Sequence, residues 1–262
     1  VCYTVQQNGA WTPWVRNDEG TAGQEGSGLK ITGIRMTIVT KGAAIPGEKA
    51  AVQGIDPNRP MIALTFDDGP HAPVTNRILD SLEANGGRAT FFMVGNRVTG
   101  KANKAAVARM AALGCEVANH TYEHKAITKL GAEGIKSQLA RANDSIRLAG
   151  GVSPVLMRPP GGAKSDAAMK TVGSMGMSAV LWSIDTLDWK TKNKQKTIDA
   201  VIGHVKDGDI VLMHDLYGTT ADAAEVIIPK LKEMGFQLVT VSELASYRGG
   251  IQPGKVYSRF RP

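Results

Sequence analysis

The sequence predicts an α/β fold, a parallel sheet or barrel, preceded by a small β-rich segment. Three observations carry the prediction. From residue 61 onward, short apolar runs alternate with amphipathic segments of helical period. Gly86, Gly114, Gly150 and Gly235 stand where those helices would stop. Before residue 58 the texture differs, with glycine-rich turns between short β-type runs. Hydrophobic content of 42% with 21% charged residues is ordinary globular composition, which makes disorder and low complexity poor explanations of the chain.

Taken in order, residues 1–40 read as a small β-rich piece. Trp11-Thr12-Pro13-Trp14-Val15 is followed by turns at Glu19-Gly20, Ala22-Gly23 and Gly26-Ser27-Gly28. Residues 41–60, with Gly42, Pro46, Gly47, Gly54, Pro57 and Pro60, read as a linker. Strands are expected over 61–66, 89–94, 115–119, 155–157, 178–184, 209–213 and 237–240. The intervening helices are expected over 74–85, 101–113, 133–149, 165–174, 195–206 and 220–234. The larger unit spans 61–250, and 251–262 reads as a C-terminal tail.

The net charge is +7, and it is scattered without a run of basic residues. Such a charge suits an anionic surface such as a cell wall or nucleic acid, but its scatter favours ordinary solvated side chains, and net charge alone is weak support for nucleic acid as a partner. Two cysteines, Cys2 and Cys115, are too few for a disulfide framework or a Cys-rich zinc site. No stretch has the length and apolarity of a membrane span, and Val1-Cys2-Tyr3 opens no signal-peptide pattern.

Chemistry gathers at the strand ends, where a parallel barrel places its active site. After 61–66 come Asp67 and Asp68, then Gly69-Pro70. His120 and His124 follow 115–119, and Arg158-Pro159-Pro160-Gly161-Gly162 follows 155–157. After 178–184 come Asp185, Asp188 and Trp189, and after 209–213 come His214 and Asp215. Adjacent carboxylates alone read equally as an Asx-type turn. Joined with two histidines, one carboxylate forms the nitrogen and oxygen donor set of an open zinc site, which leaves a position for water. Asp68 is the natural third ligand. The ion lowers the pKa of its water, and Asp67 would accept the proton as base. Arg158 would pair with Asp67, and the Gly161 N–H would face a developing oxyanion. His214 would protonate the leaving group, oriented by Asp188 or Asp185.

Thr65-Phe66-Asp67-Asp68-Gly69-Pro70, His120-Thr121-Tyr122-Glu123-His124, Arg158-Pro159-Pro160-Gly161, Asp185-Thr186-Leu187-Asp188-Trp189 and Leu212-Met213-His214 resemble five ordered motifs. They are those of the polysaccharide deacetylases, the NodB-homology enzymes of carbohydrate esterase family 4. The resemblance spans roughly 58–246. It implies a distorted (β/α) barrel with seven strands and a metal-dependent hydrolase that removes N-acetyl groups from an amino sugar polymer. N-acetylglucosamine of peptidoglycan is the first substrate it suggests, with chitin oligomers, N-acetylmuramic acid and acetyl xylan esters as alternatives. It implies Asp67 as base, Asp68, His120 and His124 as metal ligands, and Arg158 as support for the base. Asp188 would tune the acid His214, and Trp189 and Leu212 would wall the acetyl pocket; Asp185 belongs to the same motif and is assigned to the substrate side. Zinc is the default ion, with cobalt or manganese as alternatives. One departure concerns the aromatic residue that usually follows Arg-Pro-Pro. Gly161 and Gly162 stand there instead, which predicts catalysis with a wider or differently filled subsite.

The N-terminal piece resembles one clostridial hydrophobic Trp repeat, through Gly9-Ala10-Trp11-Thr12-Pro13-Trp14-Val15 and a Gly-x-x-Gly turn. That would imply an extracellular or cell-wall-associated bacterial protein that attaches to a surface. Two rival classes remain. One is a non-catalytic carbohydrate-binding protein. The other is an inverted-zincin metallopeptidase, in which His120 and His124 would share a helix with Glu123 as base; the strand character of Glu116-Val117-Ala118 argues against it.

Overall fold

The computed structural model describes residues 2–7, 10–11, 15–16, 31–37 and 54–262. Two compact units divide the chain, Val1–Gly54 and Ile55–Pro262.

In the first unit, strand β1 (Cys2–Gln7) is central. It pairs antiparallel with β4 (Ile31–Thr37) along its length, and with β2 (Ala10–Trp11) and β3 (Val15–Arg16) at its two ends. Short antiparallel strands are what the turn-rich sequence predicts. Trp14, most of the turns and residues 41–53 of the expected linker lie outside the described residues.

The second unit is a curled parallel sheet covered by helices. Its first strand, β5 (Met61–Asp67), is buried at every residue, as a strand covered on both faces must be. Helix α1 (Ala72–Ala84) leads to β6 (Thr90–Met93), α2 (Gly100–Ala112) to β7 (Glu116–Asn119), and α3 (Ala132–Gly150) to β8 (Leu156–Met157). Then follow α4 (Asp166–Ser174), β9 (Ser178–Val180), β10 (Ile184–Asp185), α5 (Asp188–Thr191) and α6 (Lys194–Val201). The chain closes with β11 (Ile210–His214), α7 (Gly218–Glu233), β12 (Gln237–Leu238), α8 (Val241–Ser246) and β13 (Val256–Tyr257). The strand order is β10-β11-β5-β6-β7-β8-β9-β13, with β12 also on β5, and every pairing between these strands is parallel.

Strand alternation divides the core. Ile62, Leu64 and Phe66 of β5 face the helices and pack with Ile78 and Leu82 of α1 and Ile227 and Leu231 of α7. Met61 and Ala63 face inward with Phe92, Leu156, Val180 and Ile210. Thr65 and Asp67 continue that inward row toward the strand end.

Four elements depart from the sequence expectation. The strand expected over 178–184 is two strands, because the carbonyls of Val180 and Leu181 turn away from a ladder to accept hydrogen bonds from the buried Arg158 side chain. Helix α6 stops at Val201, five residues early, where Ile202 takes an extended conformation. The expected tail is no tail: Val256 and Tyr257 pair with Ala179 and Val180, extending the sheet. Residues 55–60, expected in the linker, are tied to β12. There Gln237 accepts from the Asp56 N–H at 2.8 Å and donates to the Asp56 and Arg59 carbonyls.

Candidate active site

Register brings the motif residues together. In the parallel ladder His214 of β11 lies beside Asp67 of β5, and Asn119 of β7 lies beside both Met93 and Met157. One residue further on, His120 N–H donates to the Met93 carbonyl and Arg158 N–H to the Asn119 carbonyl. Asp67, Asp68, His120, Arg158 and His214 therefore crowd one rim, at the carboxyl ends of adjacent strands.

The loop carrying the histidines is pinned by helix α3. Asn119 accepts from the Thr121 N–H at 2.7 Å and donates to the Leu139 carbonyl and Asn143. Gln138 accepts from the N–H groups of Tyr122 and Glu123 and donates to the Glu123 carboxylate at 2.7 Å. Asp68, Thr121 and His124 all have positive φ (72°, 62° and 55°). Such positions cost of order 1–3 kcal/mol each and persist only where surroundings dictate them.

Three donor atoms converge at this rim. One oxygen of Asp68, one nitrogen of His120 and one of His124 all lie within 4.8 Å of one another. Asp68 Oδ1 is 3.4 Å from His120 Nε2 and 3.0 Å from His124 Nε2. His120 Nδ1–H donates to the Arg158 carbonyl at 2.7 Å, so its Nε2 presents a lone pair inward. Asp68 Oδ1 is buried and has no hydrogen-bond partner. Burial works to raise the Asp68 carboxyl, but the two imidazoles outweigh it and hold it well below the usual carboxylate range. A buried carboxylate oxygen facing two imidazole nitrogens fits a divalent cation.

Asp67 faces the same space. Its Oδ1 accepts from Arg158 Nη1 at 2.7 Å, while Oδ2 lies 3.8 Å from His120 Nε2. Arg158 is fully buried. Its Nε donates to the Val180 carbonyl, Nη2 to the Leu181 carbonyl, and Nη1 also to Thr65 Oγ1, with Phe92 4.2 Å below the guanidinium. Burial lowers the Arg158 pKa, against the pull of Asp67.

Asp188 is the orienting carboxylate, and Asp185 is not. Asp188, 1% exposed, accepts from His214 Nδ1 at 2.8 Å. Its other oxygen accepts from the His214 backbone N–H and from Thr220 Oγ1, and the Trp189 N–H caps the first. Asp185 instead accepts from the Leu187 N–H at 2.9 Å. Burial works against protonation of His214, but Asp188 beside Nδ1 more than offsets it, with help from Asp67 and Asp68, so the His214 pKa is raised. Trp189 is 45% exposed at the rim, and Leu212 is buried two residues before His214 on β11.

Gly161 and Gly162 both have positive φ (63° and 68°). A Cβ on Gly161 would meet open space, whereas one on Gly162 would meet the Trp182 ring at 3.1 Å. Trp182 also faces the Arg158 guanidinium at 5.6 Å. The indole thus stands beside Gly162, the second of the two glycines that replace the expected aromatic residue, while the space at Gly161 is open.

Residues 120–124 are not helical; His120 follows a strand and Glu123 is bound to Gln138 and to Lys125 at 2.7 Å. The inverted-zincin arrangement is therefore absent here. Sequence reasoning missed Thr65, Thr220, Trp182 and the role of Asp215. Asp215 is fully buried, accepts from Thr75 Oγ1 at 2.5 Å and packs on Gly69, where any Cβ would overlap its carboxyl. Burial pushes its pKa up to about 7.

A family model described as polysaccharide deacetylase matches residues 54–180. The peptidoglycan-N-acetylmuramic acid deacetylase PdaC of Bacillus subtilis is 44% identical over 190 residues, covering 72% of this chain and 40% of that protein. A peptidoglycan-N-acetylglucosamine deacetylase of Bacillus cereus is 37% identical over 196 residues, covering 73% of this chain and 91% of that protein. Among solved structures, a family 4 acetyl xylan esterase from Clostridium thermocellum in complex with a cobalt ion superposes with a TM-score of 0.71. It has 32% identity and covers 77% of this chain and 100% of that one. The chain spans about two fifths of the length of the first curated relatives, PdaC and the Listeria monocytogenes protein PgdA.

Proposed function

The chain belongs to the polysaccharide deacetylase family, and from that premise we propose that it is a metal-dependent hydrolase removing N-acetyl groups from peptidoglycan, at N-acetylglucosamine. The observation that carries the reading is the pair of adjacent carboxylates, one against the two histidines and the other against Arg158. A cation, zinc by default for two imidazoles and a carboxylate, would be held by Asp68, His120 and His124; it supplies positive charge that polarises the acetyl carbonyl and acidifies water.

The protein's own groups carry the protons. Arg158 engages Asp67 Oδ1 and leaves Oδ2 toward the His120 side, where it takes a proton from the attacking water. The new C–O bond puts negative charge on the former carbonyl oxygen, opposite the Gly161 N–H. His214, held through Nδ1 by Asp188, gives its Nε2 proton to the departing nitrogen as the C–N bond breaks. Acetate and a free amine result. Trp189 and Leu212 wall the acetyl pocket, and Asp185 stands at its edge.

The wall substrate also suits a chain whose β-rich N-terminal segment, residues 1–40, serves as a separate surface-attachment module at an extracellular or cell-wall location. Limited proteolysis ahead of Ile55, within the stretch expected as the linker, would then leave activity intact. Acetate release from a panel of peptidoglycan, chitin oligomers, N-acetylmuramic acid-containing glycan and acetyl xylan tests the substrate. Release mainly from peptidoglycan N-acetylglucosamine is expected. Release from xylan alone would replace the reading with an esterase, and glycan binding without release would replace it with a binding protein.

A further inference from the structure

A second candidate site lies where the strands begin, on the face opposite the catalytic rim. There an open surface concavity of about 510 Å³ is lined by Arg248, Lys255, Arg259 and Arg261, with Tyr257 and Phe260, and no carboxylate residue lines it. Its position follows from the backbone: Phe260 N–H donates to the Gly208 carbonyl, Gly208 N–H to the Met61 carbonyl, and Asp209 bridges to Arg259 ahead of β11.

Two of the four cations are fixed from behind the wall. Arg248 Nη2 pairs with Asp207 at 3.0 Å, and Arg261 Nη2 pairs with Asp209 at 2.8 Å. Lys255 and Arg259 have no ion-pair partner among the described residues. Among the described residues two positive charges, on the exposed side chains of Lys255 and Arg259, are therefore left over at the concavity. The Arg248 Nε–H is a second, independent observation: it is buried and has no hydrogen-bond partner, in a side chain only 11% exposed. Buried donors are almost always satisfied, so Arg248 carries one donor left unmatched among the described residues, in a side chain that lines the concavity. Tyr257 stacks on Phe260 with ring centroids 5.1 Å apart, giving the cavity an aromatic side as well as a cationic one. The volume falls in the range of small-ligand sites and exceeds what one free anion needs.

We propose that this cavity binds a phosphate ester, its phosphate oxygens on Arg248, Lys255 and Arg259 and its organic body against Tyr257. Forked guanidinium donors and a local excess of two charges suit a phosphate better than a single carboxylate. The site is independent of the acetyl-transfer chemistry, since none of its residues is at the catalytic rim.

Calorimetric titration of the full chain with inorganic phosphate, glycerol phosphate and poly(glycerol phosphate), at matched ionic strength, tests it. Saturable binding is expected, tighter for at least one of the two esters than for inorganic phosphate. Tightest binding of inorganic phosphate would overturn the ester assignment. The Lys255→Ala/Arg259→Ala double variant should lose affinity by about tenfold or more, with acetate release from a soluble substrate unchanged. Arg248→Lys keeps the charge beside Asp207 but removes the Nε donor, and should also weaken binding. A control removing two exposed lysines elsewhere, Lys170→Ala/Lys232→Ala, should bind as the parent does. No saturable binding by any probe, or equal losses in the control and cavity variants, overturns the proposal.

Discussion

Asp188 grips His214 at two points, Oδ1 on the imidazole Nδ1 and Oδ2 on the backbone N–H, each at 2.8 Å. The ring is thereby fixed both in tautomer and in position, with Nε2 left for the substrate. Asp188 itself is fixed by Thr220 and the Trp189 amide. The raised His214 pKa keeps the acid form populated above the ordinary imidazole value. Asp188→Asn keeps an acceptor but loses the charge, so the alkaline limb of the pH profile should move to lower pH. General acids contribute about 10²–10⁴ in rate, and His214→Ala should lose activity on that scale. The stability sign runs the same way: the raised pKa stabilises the folded protein fully below the unfolded value near 6.5 and is lost as pH rises through the folded value. A pH–rate profile and denaturation at two pH values read both effects.

Arg158 holds four acceptors at once, the Asp67 carboxylate, the Thr65 hydroxyl and the Val180 and Leu181 carbonyls. Arg158→Met would leave the buried Asp67 carboxylate without its charge partner and the Val180 and Leu181 carbonyls without this donor, while Thr65 keeps its bond to the Val211 carbonyl. Breaking a buried ion pair costs about 3–5 kcal/mol, so chemical denaturation should show a loss of that order, with loss of activity.

Glu123 lies between the two histidines in sequence, yet its carboxylate serves Gln138 and Lys125. Glu123→Gln should therefore retain most of the acetate release. Loss of all hydrolysis would make Glu123 a base and restore the peptidase reading.

Asp215, with its pKa up at about 7, holds its proton in the folded protein through a range where the unfolded chain has lost it. Its contribution to stability is present below the unfolded value near 4 and is lost as pH rises from there toward 7. Asp215→Asn has no such proton to lose. Its stability relative to the parent, measured by denaturation of metal-free protein, should improve steadily from pH 4 to pH 8.

The strand ends were legible because each apolar run stops at a polar residue with chemical capacity, and the parallel register then sets Asp67 beside His214 without further information. The break between β9 and β10 was not legible. It arises because Arg158, some twenty residues away, captures the carbonyls of Val180 and Leu181, and backbone acceptors leave no trace in sequence. Trp182 was hidden for a related reason, since one aromatic residue inside an apolar run reads as core. Asp188 and Asp185 were indistinguishable as partners of His214 until the short helix α5 turned one toward the imidazole and left the other on the Leu187 amide. Val256 and Tyr257 looked like a tail because a two-residue edge strand is too short to show a period.

The central claim is that a cation between Asp68, His120 and His124 is required for deacetylation. Acetate release from peptidoglycan by the full chain, measured before chelation, after chelation and after zinc is restored, tests it most directly. The account predicts activity that falls to background with chelator and returns with zinc, and an Asp68→Ala protein that neither retains zinc nor recovers. Acetate release undiminished by chelation, or an Asp68→Ala protein that binds zinc as the parent does, would contradict it.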